Sequence, residues 1–221
     1  MYCVVIGDIV NSRGLSADER SAVQKKLKGL LGDINGRFST GIAANFMITL
    51  GDEFQGLLSE VSCCSAIMEL IFKQMVPQRI RFGVGMGDVT TEINPDAASE
   101  TDGPVYHRAR QAITTLKHSE PPGAQRSLMM FPIRFDTGAA DSILLNSICG
   151  FLGGIVNKWS RAQWETVSAV MESGDRQIEA VNRLGLDKST ISRNLAAARY
   201  AEYRAAMRAI ERYLLDTYSG K

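Results

Sequence analysis

The chain has 221 residues, 45% of them apolar and 22% charged, with a formal net charge of +1. That length buries a sizeable core in one large or two small domains, and the composition is that of an ordinary globular protein, not a disordered, collagenous or membrane-spanning one. A charge balance this close to zero excludes a global electrostatic pull toward nucleic acid or a membrane surface.

The charge is nevertheless unevenly split. Residues 150–221 hold 11 Lys and Arg against 8 Asp and Glu, a net of +3, while residues 1–149 carry a net of −2. The C-terminal part is therefore the one suited to a phosphate backbone. Cys3, Cys63, Cys64 and Cys149 form no C-x-x-C, and His107 and His118 are the only histidines, which speaks against structural zinc. Tyr2–Ile6 is too short and lacks the basic flank of a secretory signal, and no segment reaches the ~20 apolar residues of a membrane span. The expectation is a cytoplasmic protein with no membrane partner and with cysteines serving as small buried hydrophobes.

In chain order, Tyr2–Ile6 is β-branched and continuous and predicts a buried strand. Ile6-Gly7-Asp8-Ile9-Val10-Asn11-Ser12-Arg13 follows, placing a carboxylate where that strand ends. Ser16-Ala17-Asp18-Glu19 is a capping box. It opens a helix whose apolar stripe is Val23, Leu27, Leu30, Leu31, Ile34 and Phe38. Ala43–Leu50 and Phe54–Leu58 are predicted strands joined at Gly51-Asp52, a second acidic turn. Ala66, Ile67, Leu70, Ile71 and Met75 mark a second helix. In the next strand region, Arg79–Val89, Phe82, Val84 and Met86 alternate with Gly83, Gly85 and Gly87. The bare glycine face is either the floor for an internal helix or the floor of a ligand site. Its spacing is not that of a dinucleotide fingerprint.

Pro104–Lys117 is a predicted third helix with Val105, Ala109, Ala112, Ile113 and Leu116 on one face. Arg110 is placed to reach a phosphate, with Arg108 on a different side; solvated arginines are the plainer reading. Ser119–Ala124 predicts a loop and Leu128–Phe131 a last short strand. From about Asp141 the pattern is helical throughout.

The order β-α-β-β-α-β is the split βαβ pattern of ferredoxin-like folds. A βα crossover makes strands one and two parallel, so Asp8 and Asp52 share one sheet edge. Two carboxylates at strand ends suit Mg²⁺ or Mn²⁺, hard ions that keep substrate phosphates in their shell. Asn11 and Ser12 would offer backbone amides to a triphosphate. The plainer alternative is that both aspartates cap turns.

Further on, Trp159-Ser160-Arg161-Ala162-Gln163-Trp164 opens a helix carrying Val167, Val170 and Met171. The segment from Arg176 to Leu195 resembles a bacterial helix-turn-helix. Gly185 would take the turn, Asp187 would cap the second helix, and Ile178, Val181, Leu184, Leu186, Ile191 and Leu195 would form the small core. Val181 stands where that motif usually has Ala. Lys188, Ser189, Thr190, Ser192, Arg193 and Asn194 are the side-chain types that contact phosphates and base edges in a major groove, so duplex DNA is the expected partner. The alternative is a helical hairpin used only for packing. Tyr200, Tyr203, Met207, Ile210 and Leu214 recur at three- and four-residue spacing. That pattern serves either a homodimer seam or, more commonly, packing within one chain.

IGDIVNSR (6–13), ITLGDEFQG (48–56), RFGVGMGDVTTEINP (81–95) and DGPVYHRARQAI (102–113) together resemble the SatD family, small bacterial proteins, across the whole chain. The same stretches are similar, more distantly, to class III nucleotidyl cyclases and GGDEF-type palms. That resemblance implies metal-binding roles for Asp8 and Asp52, with Glu53 as the acidic neighbour, and a catalytic-type arginine at Arg110. Ile48 stands where cyclases usually carry a base-selecting Lys, and Tyr106 where they carry an Asn, which argues against cyclisation.

The expected architecture is α+β: a ferredoxin-like, cyclase-like palm over residues 1–140, then an all-α region over 141–221 with a helix-turn-helix at about 160–200. The leading function is a DNA-binding regulator whose palm senses a nucleotide or other phosphorylated small molecule. The rival readings are a Mg²⁺- or Mn²⁺-dependent nucleotidyl transferase or cyclase, and a degenerate palm acting as an interaction scaffold.

Overall fold

The protein is α+β, organised on a five-stranded mixed sheet in the order β2-β3-β1-β4-β5. The computed structural model describes residues 1–118 and 132–219. The strands are β1 (Tyr2–Ile9), β2 (Ile42–Leu50), β3 (Glu53–Leu58), β4 (Ile80–Gly87) and β5 (Ile133–Asp136). The helices are α1 (Ala17–Arg37), α2 (Ser62–Gln74), α3 (Pro104–His118), α4 (Asp141–Val156), α5 (Arg161–Glu172), α6 (Gln177–Leu184), α7 (Lys188–Ala197) and α8 (Tyr200–Tyr218). No helix among the described residues is long and apolar enough to cross a membrane.

β1 pairs antiparallel with both β3 and β4, and β2 pairs antiparallel with β3. Strands one and two are therefore parallel, as the crossover rule requires, and the first four strands have the split βαβ arrangement. β5 adds to β4 in parallel after the α3 crossover. The strand expected at Leu128–Phe131 and the loop expected at Ser119–Ala124 lie outside the described residues.

β1 runs three residues further than its apolar run suggests. Gly7 and Asp8 continue the ladder, because β3 and β4 flank β1 on both sides and satisfy its backbone. The α1 capping box forms as read: the Glu19 amide donates to Ser16 Oγ and the Ser16 amide to the Glu19 carboxylate. Leu27, Leu30, Leu31 and Ile34 of α1 are buried. In α2 the buried phase is Cys64, Ile67, Met68 and Ile71, and the expected Ala66 faces solvent.

The sheet has two covered faces. Val4 and Ile6 of β1 pack with Val105, Ala109 and Ile113 of α3. Cys3, Val5 and Ile9 belong to the opposite cluster, which takes in α1, α2 and the C-terminal helices. The glycine face of β4 is the floor for α3. A Cβ at Gly83 would stand 2.5 Å from the Ala109 carbonyl oxygen, and one at Gly85 would collide with the Val105 carbonyl. The backbone of α3 thus lies directly on β4, and the ligand-floor reading of these glycines gives way to helix packing.

α5, α6 and α7 form a compact trio, with Val167, Val170, Ala180, Ile191 and Leu195 buried between them. α8 closes against α2, α4 and α7, burying Tyr200, Tyr203, Met207, Ile210 and Leu214. The apolar stripe of α8 is spent within the chain, not on a dimer seam. The two parts meet over α2. Phe72 and Trp164 rings lie 5.1 Å apart, Lys73 Nζ donates to the Met171 carbonyl at 3.0 Å, and Arg204 pairs with Glu69 at 3.2 Å. One hydrophobic cluster runs from Cys3 in β1 to Tyr218 in α8.

Candidate functional site

The acidic residues gather at one sheet edge, as the topology predicts. β1 pairs Asp8 directly with Glu53 of β3 on one side and with Arg81 of β4 on the other. The three side chains form a row on the face that α3 covers. Asp8 and Glu53 are both buried. Like charges directly opposite on a ladder repel, and buried carboxylates need partners.

Those partners are the chain's own cations. Arg81 Nε donates to Asp8 Oδ2 at 2.7 Å, and Arg110 Nη1 to Glu53 Oε1 at 2.6 Å. Lys117 Nζ lies between the two acids, 2.9 Å from Asp8 Oδ1 and 3.2 Å from Glu53 Oε2. Arg110 and Lys117 are seven residues apart, two helical turns, and so share one face of α3. Close seating of α3 on Gly83 and Gly85 brings that face down to the carboxylate row. Arg110 is accordingly engaged with Glu53 and is not a fully solvated arginine; its side chain is 48% exposed. Arg108, on another side, donates to the Met86 carbonyl at 2.6 Å and holds the end of β4.

Asp52 sits in the β2–β3 turn beside this row, and its carbonyl accepts from the Ile9 amide at 3.2 Å. Its carboxylate accepts from the Ser12 hydroxyl, so Ser12 is turned into the site and buried. Asn11 is exposed, in the left-handed region at φ 58°. At the N-terminus of α1 the capping box serves the Ser16 and Glu19 amides.

Asp8 and Glu53 are thus direct neighbours with Asp52 in the adjoining turn, but each oxygen of Asp8 and Glu53 holds a basic side chain. Among the described residues no group of three or more His, Cys, Asp or Glu is placed to hold a metal ion. The donor set does not fit a divalent ion as it stands. A separate cleft of about 650 Å³ between α3, β5 and α4 is lined by Gln111, Thr115, Arg134, Asp136 and Asn146, none of which the sequence singled out.

The second candidate surface is the α6–α7 hairpin. Gly185 takes the left-handed turn at φ 63°. Asp187 caps α7, accepting from the Thr190 amide at 2.8 Å and from the Ser189 and Thr190 hydroxyls. Those hydrogen bonds hold its carboxyl well below the usual range. Lys188, Ser189, Ser192 and Arg193 are exposed on one face of α7. Thr190 is half-buried and engaged with Asp187. Asn194 is turned inward, donating to Thr166 Oγ1 at 2.9 Å, and ties α7 to α5.

The expected core of the hairpin is corrected in its phase. Ile191 and Leu195 are buried and Val181 and Leu184 partly so, but Ile178 is 63% exposed and Leu186 37% exposed. Ala180, one residue before Val181, is the fully buried small residue that lets α6 approach its neighbours.

The SatD family model matches residues 2–210. The chain belongs to the SatD family. The SatD match takes in every strand of the sheet and continues well into α8, so both candidate surfaces lie within it. No curated protein matches the chain. One solved structure, a regulator of polyketide synthase expression from Bifidobacterium adolescentis, is similar over 96% of this chain and 85% of that one. Its identity is 13% and its TM-score 0.27, too slight a likeness to speak to fold or role.

Arg81 and Lys117 are the site residues of this SatD-family chain that the sequence did not single out. The seven-residue spacing of Arg110 and Lys117 was the available signal. Arg81 is placed only by the β1–β4 register.

Proposed function

We propose that this SatD-family protein is a DNA-binding regulator in which α6 and α7 act as a helix-turn-helix and the α+β part responds to an anionic small molecule, a nucleotide or another phosphorylated ligand. The observation that carries the reading is the exposed face of α7. Lys188, Ser189, Ser192 and Arg193 lie together at its N-terminal end, which is the end that enters a major groove in such readers. The Asp187 cap keeps that first turn ordered. In the α+β part, half-exposed Arg110 is the cation an anionic ligand would take over, in exchange for Glu53.

Fluorescence anisotropy with duplex DNA at low salt tests the first half. Binding is expected to weaken as salt rises, and Lys188→Ala and Arg193→Ala are each expected to reduce the salt slope by about one. Asn194→Ala is expected to cost stability, about 1 kcal/mol, with the salt slope unchanged. No affinity for duplex DNA at low salt would overturn the reading. Thermal melting with a nucleotide panel tests the second half: a ligand at about 100 times its dissociation constant adds roughly 2.7 kcal/mol. That gain is expected to disappear in Arg110→Ala.

A further inference from the structure

We propose that the Lys117 ammonium is the resident cation of the Asp8–Glu53 pair, occupying the place that a divalent metal would take between two such carboxylates. The α+β part then needs no Mg²⁺ or Mn²⁺. This goes beyond the ligand reading above, since it concerns which cation neutralises the acids and not what binds from solution.

Three observations carry it. The β1–β3 register sets Asp8 and Glu53 directly opposite, with both residues more than nine-tenths buried. Lys117 Nζ bridges them, at 2.9 Å and 3.2 Å, through one oxygen of each. The remaining two oxygens are taken by Arg81 and Arg110 at 2.7 Å and 2.6 Å. Every oxygen of the two acids therefore already faces a cation of the chain. A divalent ion added there would meet no carboxylate oxygen of these two acids without a cation already on it, and would have to displace Lys117.

The position of Lys117 is built into the fold. It lies in the last turn of α3, where the helix dipole favours a cation. α3 itself is fixed in height by the bare backbone of Gly83 and Gly85. A lysine is also a point charge with three donors on a flexible stem, which suits bridging two oxygens better than a planar guanidinium would.

The inference makes an unusual demand: removing the lysine should create a metal site. In Lys117→Ala, Asp8 Oδ1 and Glu53 Oε2 face each other with no cation between them, a pairing that hard divalent ions bridge. The experiment is Mn²⁺ binding to the full-length protein, read from the loss of the free-ion electron paramagnetic resonance signal at about 1 mM Mn²⁺, alongside thermal melting with and without the ion. Wild type is expected to leave the signal unchanged and to melt at the same temperature in either condition. Lys117→Ala is expected to melt lower without Mn²⁺, to bind one ion, and to recover part of its melting temperature. Lys117→Ala/Asp8→Asn is expected to lose that response.

Lys117→Arg keeps a cation at the row and is expected to remain indifferent to Mn²⁺. Binding of Mn²⁺ to wild type that is abolished by Asp8→Asn would overturn the proposal. So would a folded Lys117→Ala with no Mn²⁺ response. Should Lys117→Ala fail to fold, wild type and Asp8→Asn still decide the matter. DNA affinity, measured on the same samples, reports separately on the regulator reading.

Discussion

At the scale of single residues, the molecule repeatedly answers a buried or half-buried charge with its own opposite. Asp175 is a second instance. It lies in the left-handed region at φ 67°, which Asp tolerates better than most residues. Its carboxylate accepts from Tyr200 and from Arg204 and Arg208, at 3.0 Å and 2.9 Å for the two arginines. Burial pushes its carboxyl up, but the Tyr200 hydrogen bond and the arginines outweigh that and hold it below the usual range. A carboxylate lowered in the fold contributes stability that is full above the unfolded value of ~3.9 and fades as pH falls through the lower folded value. Asp175→Asn is expected to melt below wild type near neutrality, and the gap is expected to close as pH drops below about 4. Melting curves that stay parallel down to low pH would show that the charge of Asp175 contributes nothing.

At the scale of elements, α3 is the piece on which the candidate site depends. Its height over the sheet is set by two glycines whose missing Cβ atoms would meet helix backbone, which cannot yield as a flexible side chain would. Gly85→Val is expected to cost about 3 kcal/mol or more and to lift Lys117 from the carboxylate row. Gly32→Ala makes the contrast, since nothing lies near a Cβ there and the residue is exposed in mid-α1. That change is expected to stabilise by roughly 0.5–1 kcal/mol. Urea midpoints of the two variants against wild type check both directions. In the helical part, α7 is held from three sides. Asp187 caps its start, Asn194 bonds Thr166, and Trp159 Nε1 donates to the Ala198 carbonyl at its end, at 2.7 Å. Its exposed face is therefore presented by a helix fixed along its length.

At the scale of the whole molecule, the sheet and the C-terminal helices share one core. Phe72 of α2 packs on Trp164, Trp164 on Trp159, and Trp159 on Tyr203, with ring centres 5.1–5.4 Å apart. Polar links cross the same boundary, from Arg204 to Glu69 and from Lys73 to the end of α5. A continuous core couples the two parts and favours a single cooperative transition. Trp159 and Trp164 report on the helical part and its contact with α2, whereas strand and helix content together set the far-ultraviolet dichroism. The two signals are expected to trace one coincident urea transition. Two separated transitions would show that the parts fold independently and that the α2 contacts are weak.

Several features were legible in the chain because they are local. The α1 capping box joins residues three apart, the α1 stripe follows from helical spacing, and Gly185 and Asp187 mark a turn and a cap by their own chemistry. The shared edge of Asp8 and Asp52 followed from the handed logic of a βα crossover. Other features were decided only by tertiary structure. The glycine face of β4 was compatible with a helix or a ligand until α3 was seen resting on it. The buried phase of α6 passed to Ala180 and left Ile178 in solvent, because packing against α5 and α7, not the pattern within eight residues, sets its rotation. Most consequential is the carboxylate row. The sequence showed acids at a sheet edge, the pattern of a metal site, but the cations that meet them come from Arg81, Arg110 and Lys117, far away along the chain. Attraction between those charges depends on distance in space, and only the register of β1 against β3 and β4, with the seating of α3, supplies it.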